Sequence, residues 1–368
     1  MPISDDHRLL LWREVLALCR VKAGENVVVL TGEGSLAQNV DLALRACAAM
    51  GAKVCRIDVP PSAAGGGFGS RPSVEVTPLT GHRLVVDTLK RADMVLDLMG
   101  LLHSPEQLEI LAAQTRMLMV IEPPEMLARM VPTTDDKRRV QAAGKLLKAA
   151  KQMHVTSKAG TDLRMGVGQF PTLLQWGYSD EPGHWDHWPS AFVATWPNEG
   201  SSQGRVVIDA GDMMFPFKSY VQSKIVVDVH EGTITRIEGG FDAKYLRKHL
   251  ESYKDPAAFG VSHVGWGLHP KASWGALGLR DKAQSHGMDG RSFMGNFLFS
   301  TGPNAEVGGS NHSPCHVDIP MTDCSISLDG IPVTIDGEVV AVTQRLSACG
   351  ASPPSVPGRD LQPALLSR

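Results

Sequence analysis

Residues 25–59 read ENVVVLTGEGSLAQNVDLALRACAAMGAKVCRIDV, and the succession of patterns in them decides the fold class. Residues 25–31 form a short β-branched run of the kind that suits a strand. Residues 36–50 carry apolar side chains at helical spacing and stop at Gly51, a favoured residue just past a helix. Residues 53–59 then read as a second strand. Two strands joined through a helix pair in parallel, because a crossover of that length returns the chain to the same edge of the sheet.

The alternation continues outward from that segment. A Gly- and Pro-rich loop at 60–72 leads to a helix at 82–91 and a strand at 94–98. Ser104, with Pro105, Glu106 and Gln107 behind it, opens another helix with proline in its first turn. Residues 116–122 read as a strand and 135–151 as a Lys/Arg-rich amphipathic helix. Past residue 152 the character changes to strand-like runs between glycine turns, at 206–210, 224–230, 233–238 and 325–328. Asp-Gly pairs at 329–330 and 336–337 mark tight hairpins, and helix signals thin to 243–253 and 277–283. The expected architecture is a Rossmann-like α/β domain with a mostly parallel sheet over 1–152. An α+β metal-binding domain over 153–347 and a loose Pro/Ser/Gly-rich tail over 348–368 follow.

A chain of 368 residues with net charge −3 carries no electrostatic footprint for nucleic acid or an anionic membrane. No apolar run approaches the roughly 20 residues of a membrane span, and the N-terminus lacks the basic start and apolar stretch of a signal peptide. Cysteines at 19, 47, 55, 315, 324 and 349 include no Cys-x-x-Cys. That spacing argues against a zinc ribbon or a disulfide framework and for a reducing compartment. The expectation is a cytoplasmic protein.

The chemistry gathers late in the chain, in Asn311-His312-Ser313-Pro314-Cys315-His316-Val317-Asp318-Ile319-Pro320. On a strand, His316 and Asp318 point to the same face. With one more histidine they would form a set of two imidazoles and one carboxylate, which leaves positions open on a metal such as Fe(II). His263, in the Gly-rich stretch 260–267, and His269, just before Pro270, are both open as that third ligand. The segment Glu181-Pro182-Gly183-His184-Trp185-Asp186-His187-Trp188 packs histidines and tryptophans into what reads as a loop, where binding residues concentrate. His103 follows the strand at 94–98, at the carboxyl edge where open α/β sheets bind ligands. Glu199, in Trp196-Pro197-Asn198-Glu199-Gly200, reads as an exposed turn residue rather than a ligand. The turn Gly32-Glu33-Gly34-Ser35-Leu36-Ala37, with Asp58 closing the next strand, fits a dinucleotide frame. Glu33 would set a carboxylate beside the pyrophosphate, so a scaffold role is the expected one.

The Asn-His-Ser-x-x-His-x-Asp segment and the Pro-Asn-Glu-Gly turn at 197–200 resemble the thermophilic-type leucyl aminopeptidase superfamily. Within it, the chain is most similar to the 2,5-dihydroxypyridine 5,6-dioxygenase family, from the first strand to about residue 342. The resemblance rests on His103 after the third strand, the His-Trp-Asp-His-Trp segment, His263 in Ser-His-Val-Gly-Trp-Gly, and His316-x-Asp318. It implies Fe(II), that is Fe(2+), held by His263, His316 and Asp318. It implies catalytic roles for His103 and His187, with His184, Arg291 and Ser300 as substrate-binding candidates. It implies dioxygen and 2,5-dihydroxypyridine as substrates, ring opening between carbons 5 and 6 to N-formylmaleamate in nicotinate degradation, and a homo-oligomer. A two-metal peptidase needs more carboxylates than residues 297–302 offer, so one metal is expected. A two-metal aminopeptidase and, further off, an NAD(P)-dependent oxidoreductase are the alternatives.

Overall fold

The computed structural model describes residues 3–60, 77–102, 104–279, 281–282, 284–341, 343 and 345. The chain begins α1 (Asp5–Leu18), β1 (Asn26–Thr31), α2 (Ala37–Ala49), β2 (Lys53–Asp58), α3 (Arg83–Leu89) and β3 (Met94–Asp97). It continues with α4 (Pro105–Ala112), β4 (Arg116–Met119), α5 (Pro124–Arg129) and α6 (Thr134–Ala149). Strands then dominate: β5 (Gln152–Ser157), β6 (Asp162–Gly166), β7 (Thr172–Gln175), β8 (Trp185–His187), β9 (Phe192–Thr195) and β10 (Gln203–Ile208). After β11 (Met213–Met214), β12 (Ser219–Tyr220), β13 (Ile225–His230) and β14 (Thr233–Gly239) comes α7 (Phe241–Ser252). The described chain closes with β15 (Val261–Gly267), α8 (Ala276–Leu279), α9 (Met288–Ser292), β16 (Phe297–Thr301), β17 (Val317–Met321), β18 (Cys324–Leu328), β19 (Ile331–Ile335) and β20 (Glu338–Val339).

The first sheet runs β2-β1-β3-β4-β8, and every pairing in it is parallel. In β1, Val27 and Val29 join one buried cluster with Trp12, Leu16 and Leu42, while Val28 and Leu30 join another with Val86, Leu89 and Ile110. That two-residue alternation between two apolar layers is what a parallel strand covered on both faces requires. The helix α1, which the sequence reading passes over, supplies Trp12, Val15 and Leu16 to the first layer and is capped by Ser4. Ser35 closes the glycine turn after β1 by accepting the Gly32 N–H and donating to the Leu98 carbonyl. Asp58 is engaged by Arg56 and Thr31.

One feature differs from the expected reading of residues 181–188. Residues 181–188 do not form only a loop, because β8 pairs in parallel with β4 and completes the first sheet. The parallel sheet therefore extends past residue 152, and the chain leaves it after β4 and comes back to it at β8. The loop at 60–72 lies almost wholly outside the described residues, and the tail at 348–368 entirely so.

The rest of the fold is antiparallel. One sheet runs β14-β13-β10-β6-β5-β18-β19-β20 and another β17-β16-β15-β9-β7, with a small β11-β12 ribbon. The Asp329-Gly330 and Asp336-Gly337 pairs close two-residue hairpins, β18 to β19 and β19 to β20. All four residues have positive φ, at 49°, 82°, 47° and 78°, as a hairpin turn that matches strand twist requires. Among the described residues, no helix is long and apolar enough to cross a membrane.

Candidate metal centre

Three side chains converge on the β17-β16-β15 corner. Asp318 lies opposite Ser300 in the β16–β17 ladder. Between Val261 and Val264 the β15–β16 register shifts, and His263 sits within that irregularity. An extra residue there bends the strand and re-aims a side chain, a device common beside active sites. His263 Nε2 lies 3.2 Å from Asp318 Oδ1, and His316 Nε2 lies 2.8 Å from the same oxygen. One donor atom from each of the three residues lies within 4.8 Å of the others. Among the described residues, no other group of three or more His, Cys, Asp or Glu side chains is this close.

Asp318 is fixed on all sides. Its backbone exchanges two hydrogen bonds with Phe215. Arg291 Nε donates to its Oδ2 at 2.7 Å, while the guanidinium lies 4.3 Å over the Phe215 ring. Burial alone would raise this carboxyl, but His316, Arg291 and His263 outweigh it and hold it well below the usual carboxylate range. The trio thus presents two imidazole nitrogens and one ionised oxygen, and the other ring nitrogen of His263 is buried without a hydrogen-bond partner. That donor set fits a first-row divalent ion and suits one with coordination positions left for substrate. Ser300, fully buried, donates to the His263 carbonyl at 2.5 Å and so holds the strand that carries this candidate ligand.

The other expected site residues separate. His187, at the carboxyl end of β8, is buried, and its Nε2 has no hydrogen-bond partner. Burial, reinforced by His286 and Arg291, pushes its imidazole well below the ordinary value, so it is neutral. His184 lies at the opposite end of β8, roughly 10 Å away by strand geometry. Its ring stacks on Trp176 at 4.4 Å, and burial pushes its pKa down to about 4. His269 does not join the trio: its Nδ1 accepts the Lys271 N–H. Glu199 is exposed and accepts hydrogen bonds from the Ser310 N–H and hydroxyl, at 2.6 and 2.7 Å. It clamps the loop that leads to His316. His103 lies outside the described residues. The chain before it is held by Asp97, which accepts the N–H groups of Met99, Gly100 and Leu101, and the chain after it by the Ser104 cap of α4.

Two neighbours of the site escaped the sequence reading. Phe215 backs both Asp318 and Arg291. Glu122, beyond the carboxyl end of β4, is fully buried and accepts the backbone N–H groups of His286 and Met288 at 2.9 and 2.8 Å. Burial pushes its carboxyl up. No local pattern in the sequence marks either residue.

An α/β scaffold that sets two imidazoles and a buried carboxylate around one point defines a candidate mononuclear metalloenzyme. Residues 8–341 match the 2,5-dihydroxypyridine 5,6-dioxygenase family, and the chain belongs to it. It is 48% identical over 345 residues to the 2,5-dihydroxypyridine 5,6-dioxygenase of Pseudomonas putida, covering 93% of this chain and 98% of that one. The solved structure of the 2,5-dihydroxypyridine dioxygenase from Pseudomonas putida superposes with a TM-score of 0.89 at 47% identity, over 94% of this chain and 100% of that one. AmpT from Thermus thermophilus is similar in fold alone, with a TM-score of 0.56 at 15% identity over 91% of this chain and 99% of that one.

Proposed function

We propose that the protein is a ring-cleaving dioxygenase that opens 2,5-dihydroxypyridine between carbons 5 and 6 and yields N-formylmaleamate, a step of nicotinate degradation. The observation that carries this reading is the convergence of His263, His316 and Asp318 in a chain of this family. Bound by these three residues, Fe(II) would supply the open coordination positions and the redox capacity that ring opening by dioxygen needs. Asp318 is the single anionic donor, and the Arg291 contact to Oδ2 turns Oδ1 toward the two imidazoles. The Arg291 guanidinium adds a fixed positive charge near the site, which favours a deprotonated ring oxygen over a neutral hydroxyl. Neutral His187 can carry a proton on its buried Nε2 and offer it as a hydrogen bond to a substrate oxygen. His103 accepts the 5-hydroxyl proton as general base. The reading is supported by its place in the sequence between the Asp97-held turn and the Ser104 cap. Ser300 acts through the His263 backbone. His184, stacked on Trp176 at the far end of β8, takes a structural part. Trp196, edge-on to His263 at 5.8 Å, and Phe215 form apolar walls that limit water around the reacting ring.

The test is oxygen uptake by protein reconstituted with Fe(II) under anaerobic conditions, on addition of 2,5-dihydroxypyridine. Stoichiometric uptake with loss of the aromatic absorption band is expected. His103→Ala should retain metal and lose turnover. Full turnover by His103→Ala would remove the base assignment, and no uptake by iron-loaded wild type would remove the substrate.

A further inference from the structure

Glu122 is a buried carboxylate that neither holds the metal nor meets the substrate in the reading above. Its Oε1 accepts the Met288 N–H at 2.8 Å, and its Oε2 accepts the His286 N–H at 2.9 Å and the Ser285 hydroxyl at 3.4 Å. Those partners lie more than 160 residues along the chain, at the start of α9. Behind Glu122, its own carbonyl accepts the Asn39 side-chain N–H at 2.9 Å, which ties it to α2. In front, the pinned segment carries Arg291: the Arg291 N–H bonds to Gly287 O, and its guanidinium bonds to His286 O. Arg291 then donates to Asp318 Oδ2 at 2.7 Å. Hydrogen bonds and the short backbone segment 285–291 thus link Glu122, just past β4, to the carboxylate of the trio.

We infer that Glu122 is a positioning residue for the metal centre, fixing residues 285–288 so that Arg291 grips Asp318 Oδ2 and leaves Oδ1 to the imidazoles. The inference rests on His263, His316 and Asp318 being the metal ligands. A carboxylate is suited to the task because its two oxygens accept several donors at once. Glutamine offers one acceptor oxygen and sets an NH2 group against a backbone N–H. Groups that orient a ligand from behind commonly change metal affinity by about 10- to 100-fold when removed. A carboxylate that only stabilised the fold would have the same effect whether or not Arg291 were present. One that acts through Arg291 loses its effect once Arg291 is gone.

The experiment is a double-mutant cycle on the full chain with Co(II) as the probe, reading affinity by chelator competition and the visible bands of the bound ion. Glu122→Gln should weaken Co(II) binding about 10-fold and shift the bands. In an Arg291→Ala background the same change should alter affinity less than about 2-fold. Equal losses in both backgrounds, or undiminished affinity in folded Glu122→Gln, would overturn the inference. If Glu122→Gln does not accumulate as folded protein, Glu122→Asp, too short to reach both N–H groups, goes through the same cycle and is judged by the same two outcomes. A wild type that binds no Co(II), or an Asp318→Asn variant that binds it as tightly as wild type, would overturn the ligand assignment and the inference with it. Wild-type binding with additive losses would overturn the inference alone.

Discussion

At Asp318 two imidazoles share one carboxylate oxygen while a guanidinium holds the other. Asp318→Asn keeps the shape and removes the charge, so it should weaken divalent-metal binding by at least about 100-fold. Circular dichroism should stay native, and metal retention after gel filtration is the check. Wild-type retention in the variant would contradict the ligand assignment. Asp97 offers a separate test by pH. Burial raises its carboxyl to about 7, against the backbone N–H groups that pull the other way. A carboxyl whose folded pKa exceeds its unfolded value binds extra protons in the native state. Its stabilising contribution is therefore complete below about pH 4 and is lost as pH rises through 7. The stability of wild type minus that of Asp97→Asn, from urea unfolding, should fall between pH 4 and 7; a constant or rising difference would count against it. The His316-x-Asp318 pairing is legible in sequence because a strand's two-residue period sets both side chains on one face. Glu122 is not, because its partners are distant in the chain and its role exists only once they meet.

At the scale of elements, β15 is a strand that the sequence reading leaves unassigned. Its seven residues are all buried, so they show no alternation, and Gly265 and Gly267 remove side chains from the pattern. The sequence therefore shows only a glycine-rich stretch where the structure has the middle strand of a sheet. The glycines answer to packing: a Cβ on Gly265 would lie 2.0 Å from the Val193 carbonyl oxygen on β9. Gly265→Ala should cost about 3 kcal/mol or more, since the atoms the methyl meets are all β9 backbone, which limits relief. A urea midpoint unchanged from wild type would refute that packing argument. The strand β8 is missed for a different reason. Three residues are too few to display a period, and the Gly183 turn before it and Pro189 after it give it the outline of a loop. Its existence splits the histidine-rich segment, setting His187 at the carboxyl end of the strand and His184 at the opposite end. By contrast, β1 to β4 are legible because helices of recognisable period separate them.

For the whole molecule, the proposed ligands come from β15, β17 and the residue just before β17, while His187 and Glu122 come from the carboxyl edge of the parallel sheet. Metal binding should therefore stabilise the chain as a unit. At a hundredfold excess over its dissociation constant, the metal should add about 2.7 kcal/mol, seen as a higher melting temperature that a chelator reverses. His316→Ala should melt at the same temperature with and without metal. A metal-induced shift that survives in that variant would mean that the ion binds elsewhere. Insertion of dioxygen into 2,5-dihydroxypyridine by this chain is read from the isotopic content of the product formed under 18O-labelled dioxygen. Fe(II)-loaded wild type should give a ring-opened product carrying both labelled oxygen atoms, and Asp318→Asn should give none. An intact ring, or a product without label, from wild type would contradict that insertion.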